Sequence, residues 1–450
     1  MIDTIVALST PLGRSGIGVI RLSGENALEI TKRLIRDENF TPEPRRAYLK
    51  KIYDANSVEP IDSALITFFR APNSFTGENV VEISGHGSPI LLRQIIDTTL
   101  KFDARLAQAG EFTLRALANG QLNLSQAEAI RDLIEAQTTA AARLAARQLS
   151  GELSNQLQPL KDRLLNVIVV LESALEFVED DLPDMAMDNI RRNLIEIQFE
   201  LEKLADTFRA GRLLREGLKV ALVGRPNVGK SSLFNALLGH ERAIVTEIAG
   251  TTRDSLHESL NIKNVAVALI DTAGVRETAN VVEQIGVERT HRAIADADLV
   301  IVVLDTSADL TDEDREVLAA TVNAPRVLAL NKIDLRSAFD FTIFEDAKTV
   351  KISAKTGLGL EELQNEIVAP FAPPDIETAS FLISDARHHD LLRRAQTEIE
   401  NSFSLLEAKM SEEIVLVGLH NSLRLLGQVT GETTPEDVLT RIFETFCIGK

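Results

Sequence analysis

The sharpest chemistry in this chain sits in Gly224-Arg225-Pro226-Asn227-Val228-Gly229-Lys230-Ser231, which matches G-x-x-x-x-G-K-[ST]. An apolar run at 220–223 precedes it and a helical stretch at 232–238 follows. That context suits a phosphate cradle. Glycines let backbone N–H groups close around phosphate oxygens, and the following helix presents its positive end. Lys230 is expected to reach the β- and γ-phosphates, and Ser231 to ligate Mg2+. Asn227, Val228, Gly229 and Ser232 belong to the same cradle.

Three later segments fit a guanine nucleotide. Asp271-Thr272-Ala273-Gly274 ends an apolar run. Its carboxylate is expected to support Mg2+ from behind the direct ligands, and its glycine N–H to sense the γ-phosphate. Asn331-Lys332-Ile333-Asp334 ends another run. Asp334 can accept from guanine N1–H and N2–H2, which adenine cannot offer, and Asn331 can bond the base edge. Ser353-Ala354-Lys355 completes the pocket, with the Ala354 N–H directed to guanine O6. Thr251-Thr252 lies between the cradle and Asp271, where a mobile loop needs hydroxyls near Mg2+ and the γ-phosphate. Ras-type GTPases place a water-orienting Gln directly after D-x-x-G. Here that residue is Val275, which cannot orient water, so a partner or another side chain must; Glu277 and Glu283 are nearby candidates.

The elements that must hold these residues show as textures. Residues 1–120 mix short β-rich runs with Gly and Pro; 5–8, 19–22 and 64–69 read as strands and 90–100 as a helix. From about Gln121, apolar residues recur at helical spacing. The acidic, Pro-containing stretch 179–184 reads as a loop between long helices. From Leu218, apolar runs at 220–223, 265–270, 299–304 and 327–330 alternate with helical segments, which argues a largely parallel sheet. A Pro-rich break at 371–374 ends this, and helical texture returns with Leu391, Ile399 and Leu405. The simplest arrangement inserts the α/β segment into one helical domain built from both flanks; the rival is four domains on a string.

Charge and composition narrow the function classes. The net charge of −19 argues against a general basic surface for nucleic acid, because phosphate binding relies on cationic groups. Residues 1–120 balance at 0, residues 218–372 carry −7, and the two helical stretches carry −12. An apolar fraction of 44% excludes global disorder. The single cysteine, Cys447, excludes an intrachain disulfide framework and fits a reducing compartment. No apolar run approaches the ~18 residues of a membrane span, and the N-terminus lacks a signal-peptide pattern. The expectation is a cytoplasmic, multidomain protein.

Motifs outside the nucleotide segment sharpen this. They are Asp3–Ala7 followed by Gly16–Gly24; Asn73-Ser74-Phe75-Thr76-Gly77-Glu78; Glu82–Gly87; Gly110-Glu111-Phe112-Thr113; Gln126-Ala127-Glu128-Ala129; and the terminal Phe446-Cys447-Ile448-Gly449-Lys450. The nucleotide segment resembles the Era-like GTPases. The whole chain, essentially end to end, resembles the TrmE (MnmE) family of tRNA modification GTPases.

The resemblance implies a multidomain α+β and α/β architecture. It has an N-terminal α+β folate-binding and dimerisation domain (1–120) and a discontinuous helical domain (121–217 and 373–450). Between the helical stretches lies an inserted Ras-like P-loop G domain (218–372) with a mainly parallel sheet. It implies a homodimer that works with the FAD-dependent protein MnmG to add an aminomethyl or carboxymethylaminomethyl group at C5 of the wobble uridine of certain tRNAs. Methylene- or formyl-tetrahydrofolate is the implied one-carbon donor.

The resemblance also assigns residues. K+ takes the place of an arginine finger, held by Asn227, Thr246, Ile248 and Thr251, within the loop Thr246-Glu247-Ile248-Ala249-Gly250-Thr251-Thr252. Thr252 is the Mg2+-associated threonine, and Glu283 the catalytic glutamate that orients water. Arg21, Glu82 and Lys450 carry the folate site; some relatives have Lys where this chain has Gln121. Cys447 is either a small buried hydrophobe or a thiol assisting one-carbon chemistry. Two other classes stand beside this reading. A ribosome-assembly GTPase of the Era/Der type needs a KH domain or a second G domain, neither of which is found. A scaffold whose G domain only switches would keep modification in a Glu283→Ala variant that binds GTP without hydrolysing it.

Overall fold

The computed structural model describes residues 3–176, 184–240, 257–263, 265–271, 293–338, 344, 347–370, 381–433, 442–443, 446 and 449. The chain divides into two compact units, Met1–Ile134 with Arg147–Ile197 and Arg394–Lys450, and Glu135–Ala146 with Gln198–Arg393.

The first unit opens with β1 (Thr4–Leu8), β2 (Ser15–Ser23), α1 (Ala27–Ile35), β3 (Ala47–Tyr53), β4 (Pro60–Phe69), β5 (Val80–Gly87), α2 (Pro89–Leu100) and β6 (Ala104–Leu106). The strands form one sheet in the order β3-β4-β5-β2-β1-β6, antiparallel except for β1 with β6. Alternation sends Ile20, Leu22, Ile52, Ile66, Phe68, Val81 and Ile83 into a core shared with Ile30 and Leu34 of α1 and Leu92 and Ile95 of α2. The other face carries Arg21, paired across the ladder with Glu82, which in turn opposes Thr67.

Helices dominate next: α3 (Glu111–Ala118), α4 (Leu124–Glu135), α5 (Thr139–Leu149), α6 (Glu152–Glu176), α7 (Asp184–Asp206) and α8 (Phe208–Glu216). The unbroken succession of helices thus begins at Glu111, ahead of the texture change near Gln121. Of the stretch read as an acidic loop, residues 179–183 lie outside the described residues, and Asp184 already opens α7.

The second unit holds β7 (Leu218–Val223), α9 (Lys230–His240), β8 (His257–Ile262), β9 (Val265–Asp271), β10 (Leu299–Asp305), α10 (Asp312–Ala320), β11 (Arg326–Asn331), β12 (Thr349–Lys351) and α11 (Leu360–Val368). Its sheet runs β12-β11-β10-β7-β9-β8, parallel except for β8 on β9. Every residue of β10 is buried, as expected for a strand covered on both faces. The four apolar runs read from sequence are β7, β9, β10 and β11, so the mainly parallel α/β expectation holds. The break at 371–374 lies outside the described residues.

Chain entering and leaving this sheet runs side by side. Ile383 N donates to Thr207 Oγ1 at 2.9 Å, and Arg215 meets Asp385 at 2.7 Å. A Cβ on Gly211 would stand 2.1 Å from Ile383 O, so only glycine allows the approach. After this come α12 (Ala386–Glu407) and α13 (Glu412–Thr430). In the first unit α13 packs on α6, where Lys161 pairs with Glu432 at 2.6 Å. Among the described residues, no helix is long and apolar enough to cross a membrane.

Candidate functional site

The phosphate loop leaves the buried end of β7. Its shape needs two glycines: a Cβ on Gly224 would meet Val303 O at 2.5 Å, and one on Gly229 (φ +100°) would meet Asn331 Nδ2 at 2.3 Å. Asn227 takes φ 65°, a region asparagine tolerates better than most residues. Val228 is fully buried and anchors the loop, while Asn227, Ser231 and Ser232 stay exposed around the start of α9. Lys230 Nζ donates to the carbonyls of Gly224 (2.6 Å) and Arg225 (2.9 Å), so its ammonium already lies inside the loop.

The base-recognition segments converge on this loop. Asn331 ends β11 almost fully buried; its Nδ2 donates to Val228 O and its Oδ1 accepts from Ala354 N, both at 2.9 Å. The Ala354 N–H assigned to guanine O6 therefore donates here to Asn331, which braces the two loops together. Ser353 Oγ donates to Asp334 Oδ1 at 2.6 Å and orients that carboxylate. Lys332 (φ 67°) donates to Asn227 O at 3.0 Å and pairs with Asp305 Oδ2 at 2.6 Å. Burial pushes the Asp305 carboxyl up, but hydrogen bonds from Lys332 and Ser307 outweigh this and hold it below the usual carboxylate value. Lys355 is exposed at the rim. Asp271 ends β9 opposite Leu222 of β7, beside the strand that feeds the loop. Thr246, Glu247, Ile248, Ala249, Gly250, Thr251, Thr252, Thr272, Ala273, Gly274, Glu277 and Glu283 lie outside the described residues.

Sequence reasoning missed Asp305 and Asp314. The carboxylate of Asp314 accepts from Arg225 Nε at 3.0 Å. A signal was available in Thr311-x-x-Asp314, a capping-box pattern at the start of α10, which the structure contains.

On the first unit, Arg21 Nε (3.0 Å) and Nη2 (2.8 Å) both donate to Glu82 Oε1, and Nη1 donates to Gly449 O at 3.4 Å. The guanidinium lies 5.8 Å from the ring centroids of both Phe75 and Phe112. Arg21 and Glu82 are thus brought together. Gln121 instead packs at Gly77, where a Cβ would meet its side chain at 3.2 Å. Cys447 and Lys450 lie outside the described residues. Behind the pair, Arg115 is 1% exposed and bonds Asp3 (2.8 Å), Glu78 (3.0 Å) and Glu111 (3.0 Å). This ties the 73–78 loop to α3. Burial raises the Glu111 carboxyl, but hydrogen bonds from Arg105, Gln108 N and Arg115 bring it below its usual value.

Comparison with known proteins gives two family matches. One described as the MnmE helical domain matches residues 124–447, and one described as the GTP-binding protein TrmE N-terminus matches residues 4–121. The tRNA modification GTPase MnmE of Aquifex aeolicus (strain VF5) is 42% identical over 100% of both chains. That of Koribacter versatilis (strain Ellin345) is 42% identical over 100% of this chain and 99% of its own, and that of Clostridioides difficile (strain 630) is 39% identical over the same shares.

Proposed function

The chain belongs to the family of tRNA modification GTPases named MnmE, also described as TrmE, and from that premise we propose that it couples GTP hydrolysis to wobble-uridine modification in tRNA. The observation that carries the reading is the convergence of the phosphate loop with Asn331, Lys332, Asp334 and Ala354, which joins phosphate and base recognition in one braced site. Lys230 binds the β- and γ-phosphates, Ser231 and Thr252 hold Mg2+ with Asp271 behind them, and Asp334 selects guanine. Val228, Gly229 and Ser232 line the phosphates, Thr272, Ala273 and Gly274 read the γ-phosphate, and Ser353 and Lys355 wall the base.

Glu283 orients the attacking water. Asn227 is exposed on the solvent side of the loop, which fits a cation ligand; Thr246, Ile248 and Thr251 complete that shell, flanked by Glu247, Ala249 and Gly250. When bound, K+ supplies positive charge beside the phosphates as G domains pair across the nucleotide.

The N-terminal pair supports a folate site. Arg21 Nε and Nη2 both donate to Glu82 Oε1, which leaves Oε2 to accept from a pterin N–H edge. Lys450 and Arg21 offer positive charge to an anionic ligand; Gln121 contributes least. When bound, a methylene- or formyl-tetrahydrofolate supplies the one-carbon unit, with Cys447 a candidate to assist. MnmG is the proposed FAD-bearing partner and the homodimer the working form. Single-turnover GTP hydrolysis is expected to be faster in K+ than in Na+ by on the order of 10-fold or more; equal rates refute the K+ reading. Arg21→Ala is expected to abolish modification while hydrolysis persists, and loss of both would sink the folate assignment.

A further inference from the structure

We propose that Arg225 is a positioning residue of the GTPase reaction, holding the phosphate loop in its binding shape through Asp314 and Asp305 before nucleotide arrives. Arg225 Nε donates to Asp314 Oδ2 at 3.0 Å, and its Nη2 stands 4.0 Å from Asp305 Oδ2. Both carboxylates are at least nine-tenths buried. Asp305 also takes Lys332 Nζ, which donates onward to Asn227 O. Residues 225 and 227 of the loop are therefore tied to the end of β10 and the first turn of α10.

Lys230 gives the bracket its purpose. Its ammonium now satisfies the carbonyls of Gly224 and Arg225. When it turns to the phosphates the loop loses that internal donor, and the bonds of Arg225 and Lys332 remain to hold its backbone. A capping box alone needs no arginine: Thr311 N and Oγ1 already bond Asp314 Oδ2 at 3.0 and 2.9 Å. Yet Asp314 Oδ1 is buried with no hydrogen-bond partner among the described residues. Holding a carboxylate this dry is costly unless a charge partner stays beside it. Arg225 is that partner.

The test uses the full chain and N-methylanthraniloyl-GDP as probe. Arg225→Met and Asp314→Asn are each expected to raise its Kd about 5–20-fold, and the double variant no more than the larger single, because one interaction is removed twice. Arg225→Lys restores part of the affinity and serves if the methionine variant does not fold. Thr311→Ala removes the cap hydroxyl and its bond to Asp314 Oδ2 while leaving the Arg225 contact; it lowers the melting temperature and leaves Kd within about twofold. In Arg225→Met the rise in KM for GTP is expected to exceed any fall in turnover number, the split that loop positioning predicts. A rise in Kd below about threefold, an additive double variant, or an equal rise in Thr311→Ala overturns the proposal.

Discussion

Arg115 illustrates how a single residue can fix a neighbourhood. It is buried and bonds three carboxylates, so replacing it leaves Glu111 and Glu78 close together and largely shielded from water, with Asp3 at the exposed edge. Arg115→Met is expected to lower unfolding free energy by about 3–5 kcal/mol, read from urea denaturation of the full chain. The same cluster sets an acid limit. Asp3, bonded to Arg105, and Glu111 both titrate below their ordinary values in the fold. Their contribution is fully present above the unfolded carboxylate pKa, about 4, and is lost as pH falls through the lower folded values. Glu111→Gln should flatten the fall in urea midpoint between about pH 5 and pH 3; an unchanged slope would count against the cluster. The residues proposed to meet ligand were the ones sequence could nominate, because phosphate, Mg2+ and guanine each demand particular groups at fixed spacing. Arg225, Asp305 and Asp314 were not, because their role depends on partners up to 89 positions away.

At the scale of elements, legibility followed burial. β7 and β10 are covered on both faces and appear as unbroken apolar runs. β3 was missed: it mixes exposed Leu49, half-buried Tyr48 and Lys50, and buried Ile52, so its period-2 pattern is blurred. The junction where chain enters and leaves the second sheet was equally hidden, since it rests on one missing side chain. Gly211→Ala drives a methyl against Ile383 O and is expected to cost about 1–3 kcal/mol. Gly239→Ala, in α9 with nothing within 4 Å of the new Cβ, is expected to stabilise by up to about 1 kcal/mol through helix propensity. Thermal unfolding of both variants checks the contrast; equal effects would show that junction packing does not matter.

For the whole molecule, charge distribution makes the sharpest statement. Residues 1–120 are neutral while the helical stretches hold −12 of the −19. The isolated chain is therefore expected to bind tRNA weakly, with Kd in the micromolar range or above; tight, steeply salt-dependent binding would contradict this. The division into two compact units has a further consequence, in time rather than space. Gln198–Arg393 is synthesised before Arg394–Lys450, so the first unit waits for its last segment. At about 5–20 residues per second, roughly 200 residues take on the order of 10–40 s. Throughout that interval α6, which carries Leu157, Leu160, Leu164 and Leu171, buried in the finished fold, lacks the α13 that packs on it. The nascent chain is therefore expected to leave this face of α6 uncovered until α13 has been made.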